Sequence, residues 1–154
     1  MTAVELFFSN DTQHTLTRHG VAALLEGAAH ALTLEKPVAV DVAITGEKTI
    51  QNLNKFWRGK NTVTDVLSFS SVEQKRGAPL FVTPPDDVLR LGQIVICPTY
   101  VYKQARRNNE DKQKALETAI VHGFLHLLGY NHERGGNDEE VMMALQKNII
   151  SHAH

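Results

Sequence analysis

One cysteine among 154 residues, Cys97, leaves no partner for an internal disulfide. No apolar run approaches the ~20 residues that a membrane-spanning helix needs, so a membrane is not expected among the partners. The start, MTAVELFFSN, has no basic leader and no long apolar segment, the two marks of a signal peptide. A soluble, cytoplasmic protein is the expectation. An excess of one charge is missing too: 16 Lys+Arg stand against 17 Asp+Glu, a formal net charge of −1. That excludes a chain that coats itself on nucleic acid over its whole surface. Any such contact has to come from a local patch. Two groups of residues offer one, Lys55, Arg58 and Lys60, and Lys103, Arg106 and Arg107. Such clusters are more often simply solvated faces. There is no internal repeat and no low-complexity tract.

What is present is ordinary for a globular protein, with 42% apolar and 21% charged residues. The length fits a single domain over residues 1–154, large enough to bury a core without staples. Cys97 ends the apolar run Ile94-Val95-Ile96-Cys97 and reads as a buried thiol.

Periodicity gives the elements. Val4 to Phe8 reads as an edge strand. Thr15 to Leu32 carries Val21, Leu24, Leu25, Ala28, Ala29 and Leu32 at helical spacing, and Pro37 closes that segment. Val38 to Ile44 reads as a strand. Glu47 to Trp57 reads as a helix with Ile50, Leu53 and Phe56 inward. Val66 to Ser70 and Gln93 to Cys97 are further strands. Between them Ser71 to Leu91, with Gly77-Ala78-Pro79 and Pro84-Pro85-Asp86-Asp87, reads as a mobile loop. Pro98 is placed to begin a helix through about Asn108. Asp111 to Leu128 is a long helix. Asp138 to Ile150 is the last, with Val141, Met142, Leu145 and Ile149 on one side. Strands come early and helices late. The expected class is α+β, a small mixed four-stranded sheet packed with about five helices.

The most informative stretch is HGFLHLLGYNH, residues 122 to 132. His122 and His126 lie four apart, so both rings project from one helix face. Gly129 tolerates positive φ and can end the helix. His132 can then return to the same ion. Three imidazoles with an open fourth position make a familiar catalytic zinc site. With eight histidines in the chain, the pattern has a chance on the order of one in 700 of arising by composition. The remaining histidines, His14, His19, His30, His152 and His154, have no partner at such spacing.

One residue is absent from this stretch. Zinc proteases carry a glutamate directly after the first histidine as general base, and this chain has Gly123 there. Glu117 is too far round the helix to replace it, and nothing in the sequence fixes the direction of Glu133. A peptidase is therefore disfavoured. A phosphodiester needs less help from a protein base, but it needs a cation for the crowded charge of its transition state. Arginine suits that task, because its fork matches phosphate oxygens. Arg58, in the stretch LNKFWRGKNTVTDVLSFS of residues 53 to 70, is the candidate. Trp57 beside it could stack a base or help cap the helix. Asp65 reads as a turn residue or a cap for a neighbouring amide, ahead of a catalytic carboxylate.

Several segments together resemble the YbeY family of bacterial endoribonucleases and rRNA maturation factors. They are Leu53-Asn54, Arg58-Gly59-Lys60, Thr64-Asp65-Val66-Leu67-Ser68-Phe69, Leu91-Gly92, Ile94-Val95-Ile96, and the histidine stretch with Gly123. The resemblance is good over about residues 53 to 132. It implies one zinc ion per chain on His122, His126 and His132, and it places the family's functional arginine on Arg58. It also implies a zincin-like helix carrying the metal site. The implied substrate is single-stranded RNA, in maturation of the 3′ end of small-subunit rRNA and in ribosome quality control. The implied partners are the small ribosomal subunit and its proteins. Three positions depart from the family's pattern: Ser70 stands where proline is frequent, and Gln93 and Asn131 stand where aspartate is usual. An aspartate at either of those last two places could tune a histidine from behind. Two other readings stay open, a metallopeptidase-like hydrolase and a non-catalytic ribosome-assembly factor with a structural metal. Imidazole sites also accept nickel, copper or iron.

Overall fold

The computed structural model describes residues 3–71, 87–130 and 137–153. Its elements run β1 (Val4–Asn10), α1 (Arg18–Ala31), β2 (Val38–Ile44), α2 (Glu47–Arg58), β3 (Val66–Ser70), β4 (Leu89–Ile96), α3 (Pro98–Arg107), α4 (Lys112–Leu127) and α5 (Asn137–Ala153). The four strands form one sheet in the order β1-β2-β4-β3. β1, β2 and β4 are parallel, and β3 joins antiparallel at the edge. The expected α+β class and mixed sheet are what the chain forms.

Strand alternation sorts the sheet into two faces. Val38, Val40, Val42 and Ile44 of β2 and Ile94 and Ile96 of β4 point into the main core with Leu24 and Leu25 of α1 and Ile120, Phe124 and Leu125 of α4. Leu67 and Phe69 of β3 and Val95 and Cys97 point the other way, into a small cluster sealed by Ile50 of α2. The helices start where local chemistry allows. Thr17 Oγ1 accepts from Gly20 N at 3.0 Å to cap α1, and Asp111 Oδ2 accepts from Lys114 N at 2.8 Å to cap α4. Pro98 opens α3, as expected from its missing N–H.

Three expectations need correction. The Ser71–Leu91 stretch falls mostly outside the described residues, but Leu89 to Leu91 belong to β4, which starts earlier than Gln93. Leu89 and Arg90 pair with Val38 and Ala39 of β2, and the register slips beside Gly92. Gly92 is required there: its φ is +132°, and a Cβ would lie 2.1 Å from the carbonyl oxygen of Phe69. Second, Phe56 does not turn inward. It is 77% exposed, because it lies roughly 120° round the helix from Ile50 at ~100° per residue. Third, Met142 and Ile149 of α5 are buried but Val141 is exposed.

Candidate active site

α4 is buried along most of its length, which holds its histidines at fixed positions. His122 and His126 project from the same face, with Nε2 atoms 2.9 Å apart and rings at 76° to one another. The helix ends in a closed turn in which Gly129 N donates to His126 O and Tyr130 N to Leu125 O, with Gly129 at φ +98°. This is the glycine-terminated motif expected from the sequence. It turns the chain directly below His126. His132 lies outside the described residues, as do Asn131 and Glu133. Among the described residues, which do not include the third expected ligand, no three metal-binding side chains cluster.

The two described histidines fit a metal ion. Two nitrogens on one tetrahedral zinc, each ~2.0–2.1 Å from it, are roughly 3.3 Å apart, close to the spacing found. Both need Nε2 as the lone-pair nitrogen. Gln146 of α5 provides this for His122, with Oε1 2.5 Å from His122 Nδ1. An amide oxygen there accepts Nδ1–H and would leave Nε2 with a lone pair for a metal ion. The sequence reading missed Gln146. Its signal was a glutamine on an apolar stripe, four after Met142 and three before Ile149, all three buried. Gln93, one of the departures from the family's pattern, plays no such part. It is exposed, and alternation puts it on the face opposite Ile94, whose side chain meets α4.

The place of the absent glutamate is filled by packing. A Cβ on Gly123 would lie 2.9 Å from Ile94 Cγ2, 3.1 Å from Val66 Cγ2 and 3.2 Å from Ser68 Oγ. α4 therefore rests its backbone directly on β3 and β4 at this point. Ser68 Oγ donates to the Gly123 carbonyl at 3.1 Å, which locks helix to strand.

The same serine leads to Arg58. Arg58 Nη2 donates to the Ser68 carbonyl at 2.6 Å, and the guanidinium lies over the Phe69 ring at 5.3 Å from its centroid. Among the described residues β3 is the edge strand of the sheet, and Arg58 supplies the Ser68 carbonyl with a donor. This uses one of five donors. Arg58 and Gly123, the residue after His122, thus bond to different groups of one residue, Ser68. Lys55 and Lys60 are exposed at the same helix end. The other basic group is placed differently: Lys103 pairs with Glu47 at 3.1 Å, and Arg106 and Arg107 stand exposed in the last turn of α3. Trp57 is half exposed and tilted against Phe69 at 6.0 Å.

A groove of about 740 Å³ runs from His122 between α3 and α4 to Thr64 and Asp65, past Gln104 and Lys114. Asp65 Oδ1 accepts from Val66 N at 2.8 Å, the local capping role expected of it. Cys97 is fully buried, and burial pushes its thiol above the usual range.

The chain is similar to known proteins over nearly its whole length. A family profile described as Endoribonuclease YbeY matches residues 7–154. A protein of that name from Roseiflexus sp. (strain RS-1) is 39% identical over 133 residues, 84% of this chain and 81% of the relative. Another from Lysinibacillus sphaericus (strain C3-41) is 35% identical over 145 residues, 93% of this chain and 91% of the relative. Among solved structures, the solution structure of TM1509 from Thermotoga maritima superposes with a TM-score of 0.63 at 28% identity. That match covers 96% of this chain and 88% of the other. With a site of paired histidines and a tethered arginine, and a profile match over nearly its whole length, this chain belongs to the Endoribonuclease YbeY family.

Proposed function

We propose that this chain is a metal-dependent endoribonuclease for single-stranded RNA, working on small-subunit rRNA at its 3′ end and in ribosome quality control. The observation that carries the reading is the join between His122 and Arg58. The paired histidines have Nε2 atoms 2.9 Å apart, and Ser68 ties Arg58 to the residue beside them. Residues 1–154 act as one unit in the cytoplasm, with the small ribosomal subunit and its proteins as partners. No helix among the described residues is long and apolar enough to cross a membrane.

His122, His126 and His132 would hold one zinc ion. Bound there, it supplies positive charge and Lewis acidity at the scissile phosphate. Gln146 keeps His122 in the tautomer that presents Nε2 inward. Arg58 sits on the strand side. Its remaining N–H donors reach toward the non-bridging phosphate oxygens and neutralise charge that grows in the transition state. Lys55 and Lys60 hold neighbouring phosphates as point charges. Gly123 contributes no proton transfer. Its role is to let α4 close on β3 so that arginine and histidines share one site. The same closeness disfavours a peptidase, because no carboxylate fits at the position where one would act as base.

The first test is the metal content of the purified, untagged chain beside His126→Ala. About one zinc per chain is expected in the wild type, with most of it lost in the variant. RNA cleavage should stop with a chelator and return with metal. Arg58→Glu should bind metal and fold normally but not cut. An Arg58→Glu variant that cleaves at the wild-type rate would show that the arginine has no part in the chemistry.

A further inference from the structure

Phe56 and Trp57 are large aromatic residues exposed side by side at the end of α2, 77% and 56% accessible. Their rings meet edge to face with centroids 4.9 Å apart. The helix overshoots the sheet here: every residue from Lys55 to Thr62 is exposed. Nothing in the fold needs two aromatics at this place. Among the described residues the ring contact of Phe56 is with Trp57, and Trp57 meets the small buried cluster at Phe69. Hydrophobic burial therefore does not explain them.

The charge along this stretch of chain is one-sided. From Lys48 to Thr64 the chain holds Lys48, Lys55, Arg58 and Lys60 and no aspartate or glutamate. A chain of net charge −1 has thus gathered cations at one helix end, and three of the four lie within a turn of the rings. Exposed rings set among cations complement a flexible polyanion that carries flat, apolar bases. A duplex keeps its bases stacked on each other and offers the rings nothing, whereas a single strand can turn its bases outward onto them. A protein partner would be expected to meet apolar rings with fewer unpaired cations round them.

We infer that Phe56 and Trp57 form a stacking platform for unpaired bases of an RNA strand whose phosphates run over Lys55, Arg58 and Lys60. The inference rests on the endoribonuclease reading and adds to it. The platform lies next to Arg58 in sequence, so bases held there set the neighbouring phosphate at the arginine. Stacking tolerates any base, so the platform selects for single strands, not for sequence. Lys60 and Lys55 fix the strand's path, and the rings fix its register against the histidines.

Trp57 is the chain's one tryptophan, so its fluorescence reports on the platform alone. The test titrates the metal-loaded protein with a nuclease-resistant 2′-O-methyl oligoadenylate on the order of ten nucleotides long, at one fixed salt concentration. Affinity is read independently from the anisotropy of a labelled strand. Stacked adenines should quench Trp57, and an abasic strand of the same length should bind more weakly with little quenching. Phe56→Ala and Trp57→Ala should each weaken binding roughly five- to 150-fold, while Trp57→Phe should retain most of it. Phe56→Ala should melt with the wild type, and Trp57→Ala, which gives up its contact with Phe69, slightly below it. Equal affinity for the oligoadenylate and the abasic strand overturns the platform. So does Phe56→Ala binding as tightly as wild type. In either case RNA cleavage by the wild type leaves the nuclease reading standing. A wild type that neither binds nor cuts RNA overturns both. A dimer in sedimentation that Phe56→Ala turns into a monomer overturns the platform in favour of a contact between copies.

Discussion

His122 and Arg58 are linked through one strand residue, Ser68, yet their surroundings differ sharply. On the histidine side, α4 is packed into the main core, backed by Gln146 and pressed against β3 and β4 at Gly123. On the arginine side, α2 runs past the sheet into solvent, and its last turn is exposed. The first side is rigid because the core defines it. On the second, Arg58 itself rests on the Ser68 carbonyl and the Phe69 ring, and the turn after it is tied back by Asn54 Nδ2, which donates to the Thr62 carbonyl at 3.0 Å. Holding a metal needs ligands fixed in place before it arrives. Gripping a flexible strand needs exposed groups that the strand can reach. On the proposed function the two halves of the site would divide these tasks, and substitutions on each half should then fail differently.

The largest effect belongs to the packed side. Gly123→Glu would restore the glutamate of a zinc protease. It should not restore a protease. The added Cβ alone meets Ile94 Cγ2 at 2.9 Å, and a carboxylate would have to be buried behind it. Overpacking costs about 1–3 kcal/mol and an unpaired buried charge more, so the variant should lose several kcal/mol in urea unfolding or fail to fold. Gly123→Ala should be milder, because its better helix propensity offsets about 1 kcal/mol of the clash. Wild-type stability for Gly123→Glu would mean that α4 does not rest on β3 as described. On the arginine side Arg58→Glu gives up the Ser68 hydrogen bond and the Phe69 stack and should cost about 1–3 kcal/mol, leaving the fold intact while abolishing cleavage.

Second in size is the support behind the metal. Gln146→Leu keeps the volume and removes the acceptor for His122 Nδ1–H. Zinc affinity, measured by competition with a chelator, should fall about 10–100-fold. Gln146→Glu keeps an oxygen acceptor and should recover much of it. A purely structural role would predict the reverse order, since leucine suits a buried apolar stripe better than a carboxylate does.

These residues also mark how far the sequence could be read. The α4 histidines were legible because a four-residue spacing on a helix leaves no choice of face, and Gly129 marked the turn below them. β2 was legible from its unbroken β-branched alternation. The end of α2 was not. Three-residue steps suggest one face for Ile50, Leu53 and Phe56, but each such step falls about 60° short of a full turn, so by Phe56 the face has drifted roughly 120° away from Ile50. β4 was read too short because Gly92 looks like a break, whereas it is a close approach to Phe69 within a continuing strand. Gln146 was overlooked because its partner lies 24 residues away, and no local pattern reports a contact between helices. His132 was assigned from spacing and family resemblance, and it lies outside the described residues.

The link between the halves is the next place to press. Ser68→Ala removes the hydroxyl that holds Gly123 O and leaves the backbone carbonyl that holds Arg58. One hydrogen bond is worth about 1 kcal/mol, so stability should fall by about that much. Metal affinity should barely change, since Gln146 is untouched. If zinc affinity dropped with stability, the two halves would be mechanically coupled through β3 and the division of tasks would not hold.

The smallest effect concerns the floor beneath the exposed arginine end. Cys97 lies in the cluster with Ile50, Leu67, Phe69 and Val95, and burial raises its thiol pKa above the ordinary 9.0. The folded chain therefore holds this proton more tightly than the unfolded chain does. The sign follows from linkage: the contribution is intact below pH 9 and is lost as pH rises from there toward the folded value. Wild type and Cys97→Ala should differ in urea midpoint by a constant amount up to about pH 8, and the wild type should lose ground by about pH 10. The thiol should also resist alkylation in the native protein at neutral pH. Rapid native alkylation would show that solvent reaches the small cluster. The loose, open character of the arginine side would then extend through its core, and the contrast with α4 would be one of depth as well as surface.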